Sequence, residues 1–86
     1  MFSQKIYADI RRVTQRALVE LHSLNAIDQV TIAQGYAQLA QSGGDYDGKL
    51  RRSIDRLLDL AKKENQRQLA EEFEGLVQEM DQERAA

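Results

Sequence analysis

The chain has 86 residues and a formal net charge of −2 at pH 7, which suits one small domain and gives no overall field to recruit nucleic acid or an anionic surface. It has no cysteine, which excludes disulfides and thiolate chemistry, and no proline or tryptophan, a composition that fits a helical protein better than a sandwich or barrel. No stretch is long and apolar enough for a membrane span and Met1-Phe2-Ser3-Gln4-Lys5 leads into charges, so we expect a cytoplasmic protein.

The apolar spacing over residues 3–24 predicts the first helix. Its apolar stripe consists of Ile6, Ile10, Val13, Ala17, Leu21 and Leu24. These residues are three or four positions apart, which places them within about 80° of one another around a helix. Ser3 is the expected N-cap. Continuing the same phase beyond Leu24 would bury Asp28, so the straight helix is predicted to end there.

Residues 27–41 predict a second helix, with Asn25 as its N-cap and Asp28 near the positive end of the helix dipole. One side of this helix is made of small apolar residues, namely Val30, Ala33, Ala37 and Ala40. The neighbouring side carries the bulky residues Ile32, Tyr36 and Leu39, spaced four and three apart. A helix that is apolar over nearly half its circumference usually packs against two neighbours.

The segment Ser42-Gly43-Gly44-Asp45-Tyr46-Asp47-Gly48 is the densest cluster of helix-breaking residues and predicts the bend of a helical hairpin. Beyond the bend, helical apolar spacing predicts a third helix over residues 48–82, with Asp47 as the expected cap. The polar centre of this helix, residues 62–68, contains no Gly or Pro. We therefore predict one long helix, and whether it is continuous through residues 62–68 stays open.

These elements predict an all-α protein, an antiparallel hairpin of three helices whose first arm is broken near Asn25. In the hairpin the small side of the second helix faces the third helix, which leaves the bulky side without a partner in the chain. We therefore expect a homodimer that forms a helical bundle, with Ile32, Tyr36 and Leu39 at the centre of a self-association or partner surface. The alternative is a closed three-helix bundle, in which the first helix folds back over those three residues.

The sequence offers no constellation of catalytic, cofactor-binding or metal-binding residues. Its one histidine, His22, does not lie in a ligand pattern such as His-Glu-x-x-His, and no hydroxyl belongs to a nucleophile motif. The acids of the third helix are spread around its circumference, and no strand precedes the glycines of the bend, so neither a divalent-ion site nor a phosphate loop is favoured. We expect a protein that is not an enzyme and uses no cofactor or metal.

The strongest candidate for nucleic-acid contact is a basic run at the start of the third helix, formed by Lys49, Arg51, Arg52 and Arg56. Asp55 and Asp59 lie among these cations and no aromatic platform is interleaved, which reduces the attraction to phosphates. The preferred hypothesis is a small interaction module acting through apolar helix faces, such as an adaptor, inhibitor, chaperone-like protein or regulatory subunit. Its partners would be a second copy and another protein. A nucleic-acid-associated regulator is the alternative.

Overall fold

In a computed structural model that describes residues 1–85, the chain forms four α-helices. They are α1 (Gln4–Glu20), α2 (Ala26–Gln41), α3 (Asp47–Lys63) and α4 (Arg67–Ala85). Helix α1 packs against α2 and α4, and α3 packs against the same two helices, which gives a four-helix bundle measuring 32 × 21 × 17 Å. The prediction of an all-α fold is confirmed for the described residues.

The single third helix predicted over residues 48–82 is wrong, because the chain breaks between α3 and α4. Asn65 adopts the left-handed conformation, with φ of 59°. The Gln66 N–H donates to the Ala61 carbonyl at 2.9 Å and the Asn65 N–H donates to the Lys62 carbonyl at 3.1 Å. This pair of bonds is a Schellman cap, and asparagine tolerates its left-handed position. The helix therefore ends without Gly or Pro.

The open hairpin is also wrong, since α1 turns back onto α2 and the bundle closes within one chain. Helix α1 ends at Glu20 because Leu21 takes an extended conformation, with φ of −90° and ψ of 138°. Leu24, expected on the buried stripe of a helix reaching residue 24, is 97% exposed in the connection to α2. A single copy therefore completes a four-helix core.

All four helices contribute to the core. Its largest fully buried side chains are Tyr7, Phe73, Ile6, Ile10, Leu50, Ile54, Leu57, Leu69, Met80, Val13, Val30 and Thr14. From α2 the buried side chains are only Val30 and three alanines, as expected for the small side of that helix. The Thr14 hydroxyl donates to the Ile10 carbonyl at 2.6 Å and accepts from Gln34 at 3.2 Å, so this buried polar group is satisfied.

The predicted bend lies between α2 and α3, and Gly43 there has φ of 97°, a conformation that favours glycine. The Ser3 side chain accepts from the Ile6 N–H at 3.4 Å, which confirms Ser3 as the cap of α1. Two other caps differ from the prediction. Asn25 precedes α2 without a side-chain cap bond, and Tyr46, rather than Asp47, occupies the N-cap position of α3.

A candidate docking groove between α2 and α3

Ion pairs satisfy the charges along the outer seam between α1 and α4. Lys5 Nζ lies 2.9 Å from Glu79 Oε2, and the guanidinium groups of Arg12 and Arg16 contact Glu72 at 3.2 and 2.6 Å. The hydrogen bond to Glu79, with a further one to Asp9, raises the pKa of Lys5. This seam therefore offers a partner few charges that are not already paired.

Arg51 belongs to the seam between α3 and α4. Its Nε donates to Asp81 Oδ1 at 2.9 Å and its second terminal nitrogen donates to Asp81 Oδ2 at 3.1 Å, a two-pronged pair that raises the pKa of Arg51. A weaker contact joins Arg51 to Asp55 at 3.6 Å. The structure thus separates Arg51 from Lys49, Arg52 and Arg56, with which it was grouped in the sequence.

The other three cations line a groove with Ile32 and Tyr36, two of the three residues predicted to bind a partner. This surface, called here the α2–α3 groove, has a cleft of about 220 Å³ lined by Ile32, Tyr36, Lys49, Arg52, Ser53 and Arg56. Lys49, Arg52 and Arg56 are exposed, and none has a carboxylate within 4.0 Å among the described residues. Two sets of residues that the sequence presented as alternatives therefore meet at one surface.

The α2 side of the groove is apolar. Ile32 is 47% exposed, whereas Tyr36 is half-buried and packs against the core cluster. Leu39, three residues beyond Tyr36 on α2, is 45% exposed and is not among the residues that line the cleft. The Tyr36 ring stacks on Tyr46 with centroids 5.9 Å apart. Lys49 Nζ lies 5.6 Å from the centroid of the Tyr46 ring, within range of a cation–π interaction. Aromatic and cationic groups are therefore held in place at this end of the groove.

The groove continues toward the other end of the bundle. A second cleft of about 220 Å³ is lined by Asn25, Gln29, Arg56, Asp59, Leu60 and Lys63. Arg56 belongs to both clefts, so they form one surface. Asp59 is the one carboxylate among the lining residues of the two clefts, against the cations Lys49, Arg52, Arg56 and Lys63. The groove therefore carries an excess of positive charge on a protein that is slightly acidic overall.

Two glycines shape this surface in different ways. A Cβ at Gly44 would lie 2.6 Å from Cε2 of Tyr46 and 3.1 Å from the Leu39 carbonyl, so the glycine makes room for the stacked ring. A Cβ at Gly35, in the middle of α2, would meet nothing within 4 Å. No packing within the described chain accounts for the glycine between Ile32 and Leu39.

Sequence reasoning missed a second group of exposed apolar residues. Around the connection between α1 and α2, Val19 is 78% exposed, Leu24 is 97% exposed and Ile27 is 65% exposed. Val19 lies off the predicted stripe of α1, which was a visible signal of its exposure. These side chains are not among those that line the two clefts of the groove.

A further cleft of about 270 Å³ lies between α1 and α2 and is lined mainly by amides, from Gln15, Gln34, Gln38 and Gln41. Within residues 1–85 no three His, Asp or Glu side chains are grouped so as to hold a metal ion. The longest helix, α4, has 19 residues, and no described helix joins such a length to the apolar composition that crossing a membrane requires. The α2–α3 groove is the cleft that joins an exposed apolar side chain to unpaired cations among the described residues.

Comparison of the chain with protein-family models, curated proteins and solved structures finds no match.

Proposed function

We propose that this protein is a small non-enzymatic interaction module that docks another protein in the α2–α3 groove. One observation carries the proposal. Ile32 remains nearly half exposed beside Lys49, Arg52 and Arg56, for which the described chain provides no carboxylate partner. Leu39 on the same helix is exposed to a similar degree. An adaptor, an inhibitor, a chaperone-like protein or a regulatory subunit could each act through such a surface.

The composition of the groove resembles that of protein interfaces. Binding energy at interfaces is concentrated in aromatic and arginine side chains near an apolar centre, with polar groups at the rim. The groove supplies Tyr36, which stacks on Tyr46, the apolar side chain Ile32, and cations on the α3 side, with Leu39 exposed farther along α2. Tyr36 is already held by stacking, so little side-chain entropy is lost when a partner covers it.

Homodimerisation is a second use of the same surface. Ile32 and Leu39 could pair with their copies across a two-fold axis. A symmetric interface brings the same patch of both copies together, and a two-fold axis running across the helices would set the two rows of cations against each other. Charge opposes that arrangement, which leaves a different protein as the preferred partner, and sedimentation decides whether a dimer forms as well.

A nucleic-acid-associated regulator is supported by the exposed cations Lys49, Arg52 and Arg56. The stacking of Tyr36 on Tyr46 opposes it, because each ring covers a face that a base would use. Exposed Ile32 and Leu39 also have no role in holding phosphates. This alternative predicts binding of single-stranded DNA or RNA that weakens steeply with added salt.

The proposal is tested by affinity capture with quantitative mass spectrometry from cells that produce the protein. The groove variant carries Ile32→Ser and Leu39→Ser, and the matched control carries Val19→Ser and Leu24→Ser, which remove comparable exposed apolar groups elsewhere. We expect a protein retained by the wild type and the control to be lost by the groove variant. Loss with the control alone, or retention by all three, would overturn the groove as the docking surface.

A further inference from the structure

We infer that the occupant of the α2–α3 groove is an acidic amphipathic helix of the partner protein. This inference rests on the docking function proposed above and names the chemistry of the segment that docks. It follows from the spacing of the side chains on the two helices and from the sign of their charges.

Two rows of side chains flank the groove. The cationic row on α3 is Lys49, Arg52 and Arg56, and the apolar row on α2 is Ile32 and Tyr36, which line the cleft, followed by the exposed Leu39. Each row runs over seven helical steps, or about 10.5 Å at 1.5 Å per residue. The rows therefore present matching lengths of apolar and positively charged surface.

A helix lying along the groove repeats its side chains at the same intervals of three and four residues. One stripe of it can face Ile32 and Leu39 while the adjacent stripe faces the cations. An extended strand would instead point alternate side chains away from the groove, and its rise of about 3.3 Å per residue does not follow the helical spacing of the rows. The spacing therefore selects a helix.

The charges along the groove favour an acidic helix as its occupant. Lys49, Arg52 and Arg56 have no carboxylate partner among the described residues, and Lys63 extends the positive surface at the far end of the groove. Carboxylates spaced three and four apart on the incoming helix would pair with this row. Exposed ion pairs contribute little affinity individually, so the apolar row supplies the remaining affinity and the cations supply selectivity.

Gly35 fits the approach of a helix backbone to α2. Glycine makes the interior of α2 less stable than alanine would, and nothing in the described chain occupies the space beside it. Gly75 in α4 provides a matched position, because a Cβ there also meets nothing within 4 Å. At 100° per residue Gly35 lies about 40° from Leu39 and about 60° from Ile32 around α2, whereas Gly75 belongs to α4, which contributes no lining residue to the groove.

The probe is a designed peptide of about 16 residues, long enough to cover about 24 Å as a helix, with Leu on one stripe and Glu on the adjacent stripe. Its control has Gln at every Glu position. A second variant of the groove, called here the groove-cation variant, replaces Lys49, Arg52 and Arg56 by Gln. The matched charge control replaces Arg11, Lys62 and Arg67 by Gln, exposed residues with no ion pair in the described chain, so both variants have the same net charge.

Fluorescence anisotropy is expected to show the acidic peptide bound at least about tenfold more tightly than its Gln control. A tenfold difference in affinity corresponds to about 1.4 kcal/mol, which three exposed charge pairs together supply. The groove-cation variant should lose this tenfold preference for the acidic peptide, and the charge control should keep most of it. Equal affinities for the two peptides, or an equal loss of affinity in the two variants, would overturn the inference of an acidic helix.

The glycines give an independent readout. Gly35→Ala and Gly75→Ala should both raise the melting temperature, since each removes a helix-interior glycine without a clash. Only Gly35→Ala should weaken peptide binding, by about threefold or more if it holds the helix away from α2. An unchanged affinity for Gly35→Ala would overturn the placement of the helix against this residue.

The inference and the proposed function fail differently. A protein captured through Ile32 and Leu39, with no affinity for the acidic peptide, leaves the docking function standing and overturns the acidic helix. Salt-sensitive binding of a single-stranded oligonucleotide that depends on Lys49, Arg52 and Arg56, without peptide binding, overturns it in favour of nucleic acid. A stable dimer that buries Ile32 and Leu39 overturns it in favour of a second copy.

Discussion

The rings of Tyr36 and Tyr46 stack with centroids 5.9 Å apart and an interplanar angle of 26°, which ties α2 to the residue that precedes α3. Gly44 leaves the space that the Tyr46 ring fills. We predict that Gly44→Ala displaces this ring and lowers the free energy of unfolding by about 1 to 3 kcal/mol, as overpacking does. Urea unfolding and near-ultraviolet circular dichroism measure both effects.

The control for this prediction is Gly48→Ala, in the first turn of α3, where a Cβ would meet nothing within 4 Å. It should leave the near-ultraviolet spectrum unchanged and leave stability equal or slightly higher. A Gly44→Ala protein that keeps the wild-type spectrum and stability would show that the stacked pair does not depend on Gly44.

The break between α3 and α4 depends on the left-handed conformation of Asn65. We predict that Asn65→Gly is neutral or stabilising, whereas Asn65→Ala costs about 1 to 2 kcal/mol, the penalty of placing a side chain in that conformation. Thermal melting by circular dichroism measures the difference. If the Asn65→Ala protein proved as stable as the Asn65→Gly protein, residues 62–68 would more closely resemble the continuous helix that the sequence suggested.

Glu64 links the two connections at one end of the bundle. Its carboxylate oxygens accept from the backbone N–H groups of His22 at 2.7 Å and Ser23 at 3.0 Å. We predict that Glu64→Ala lowers the free energy of unfolding by about 1 to 2 kcal/mol, since two hydrogen bonds to a carboxylate are lost near the surface. In urea unfolding, Glu71→Ala should change stability by less than about 0.5 kcal/mol, because Glu71 is exposed. Similar losses in the two variants would contradict this role.

Two carboxylates near the end of α4 make stability depend on pH. The hydrogen bond from Arg51 lowers the pKa of Asp81 from its ordinary value of 3.8, and hydrogen bonding with Ser3 lowers the pKa of Glu83 from 4.5. Because the folded values lie below the unfolded ones, their contribution is present above about pH 4.5 and is lost as pH falls through the lowered values.

We therefore predict that the melting temperature of the wild type falls more steeply between pH 5 and pH 2.5 (roughly the range in which these carboxylates titrate) than that of a variant with Asp81→Asn and Glu83→Gln. Near pH 7 the variant should be the less stable protein, and at the acid end the two should converge. Parallel curves over the whole range would contradict the two contacts as the source of the pH dependence.

Helical periodicity was sufficient to predict the class of fold, the cap at Ser3 and the bend around Gly43. It did not predict the end of α3, because Asn65 terminates the helix through its backbone conformation, and a polar run without Gly or Pro does not reveal such a conformation. Closure of the bundle was weighed only as a three-helix alternative for a related reason. Without the break after Lys63 the third helix is too long to fold back, which leaves a hairpin as the simplest arrangement.

The candidate site was predicted in pieces. The rows at Ile32, Tyr36 and Leu39 and at Lys49, Arg52 and Arg56 were identified as rival sites, because a single sequence does not give the side on which α2 and α3 meet. Arg51 could have been separated from them, since at 100° per residue it lies about 200° from Lys49 around α3. Its pair with Asp81 became visible only once α4 was a separate helix.

The most direct test of the docking groove is photo-crosslinking in cells that produce the protein, with a benzophenone amino acid placed at Leu39 or, as control, at Val19. Both positions are exposed, so both can carry the probe. The account predicts that the Leu39 probe forms a covalent adduct with another protein, and that mass spectrometry maps the crosslink to an acidic amphipathic segment. Adducts formed only at Val19, or only with a second copy of this chain, would contradict it.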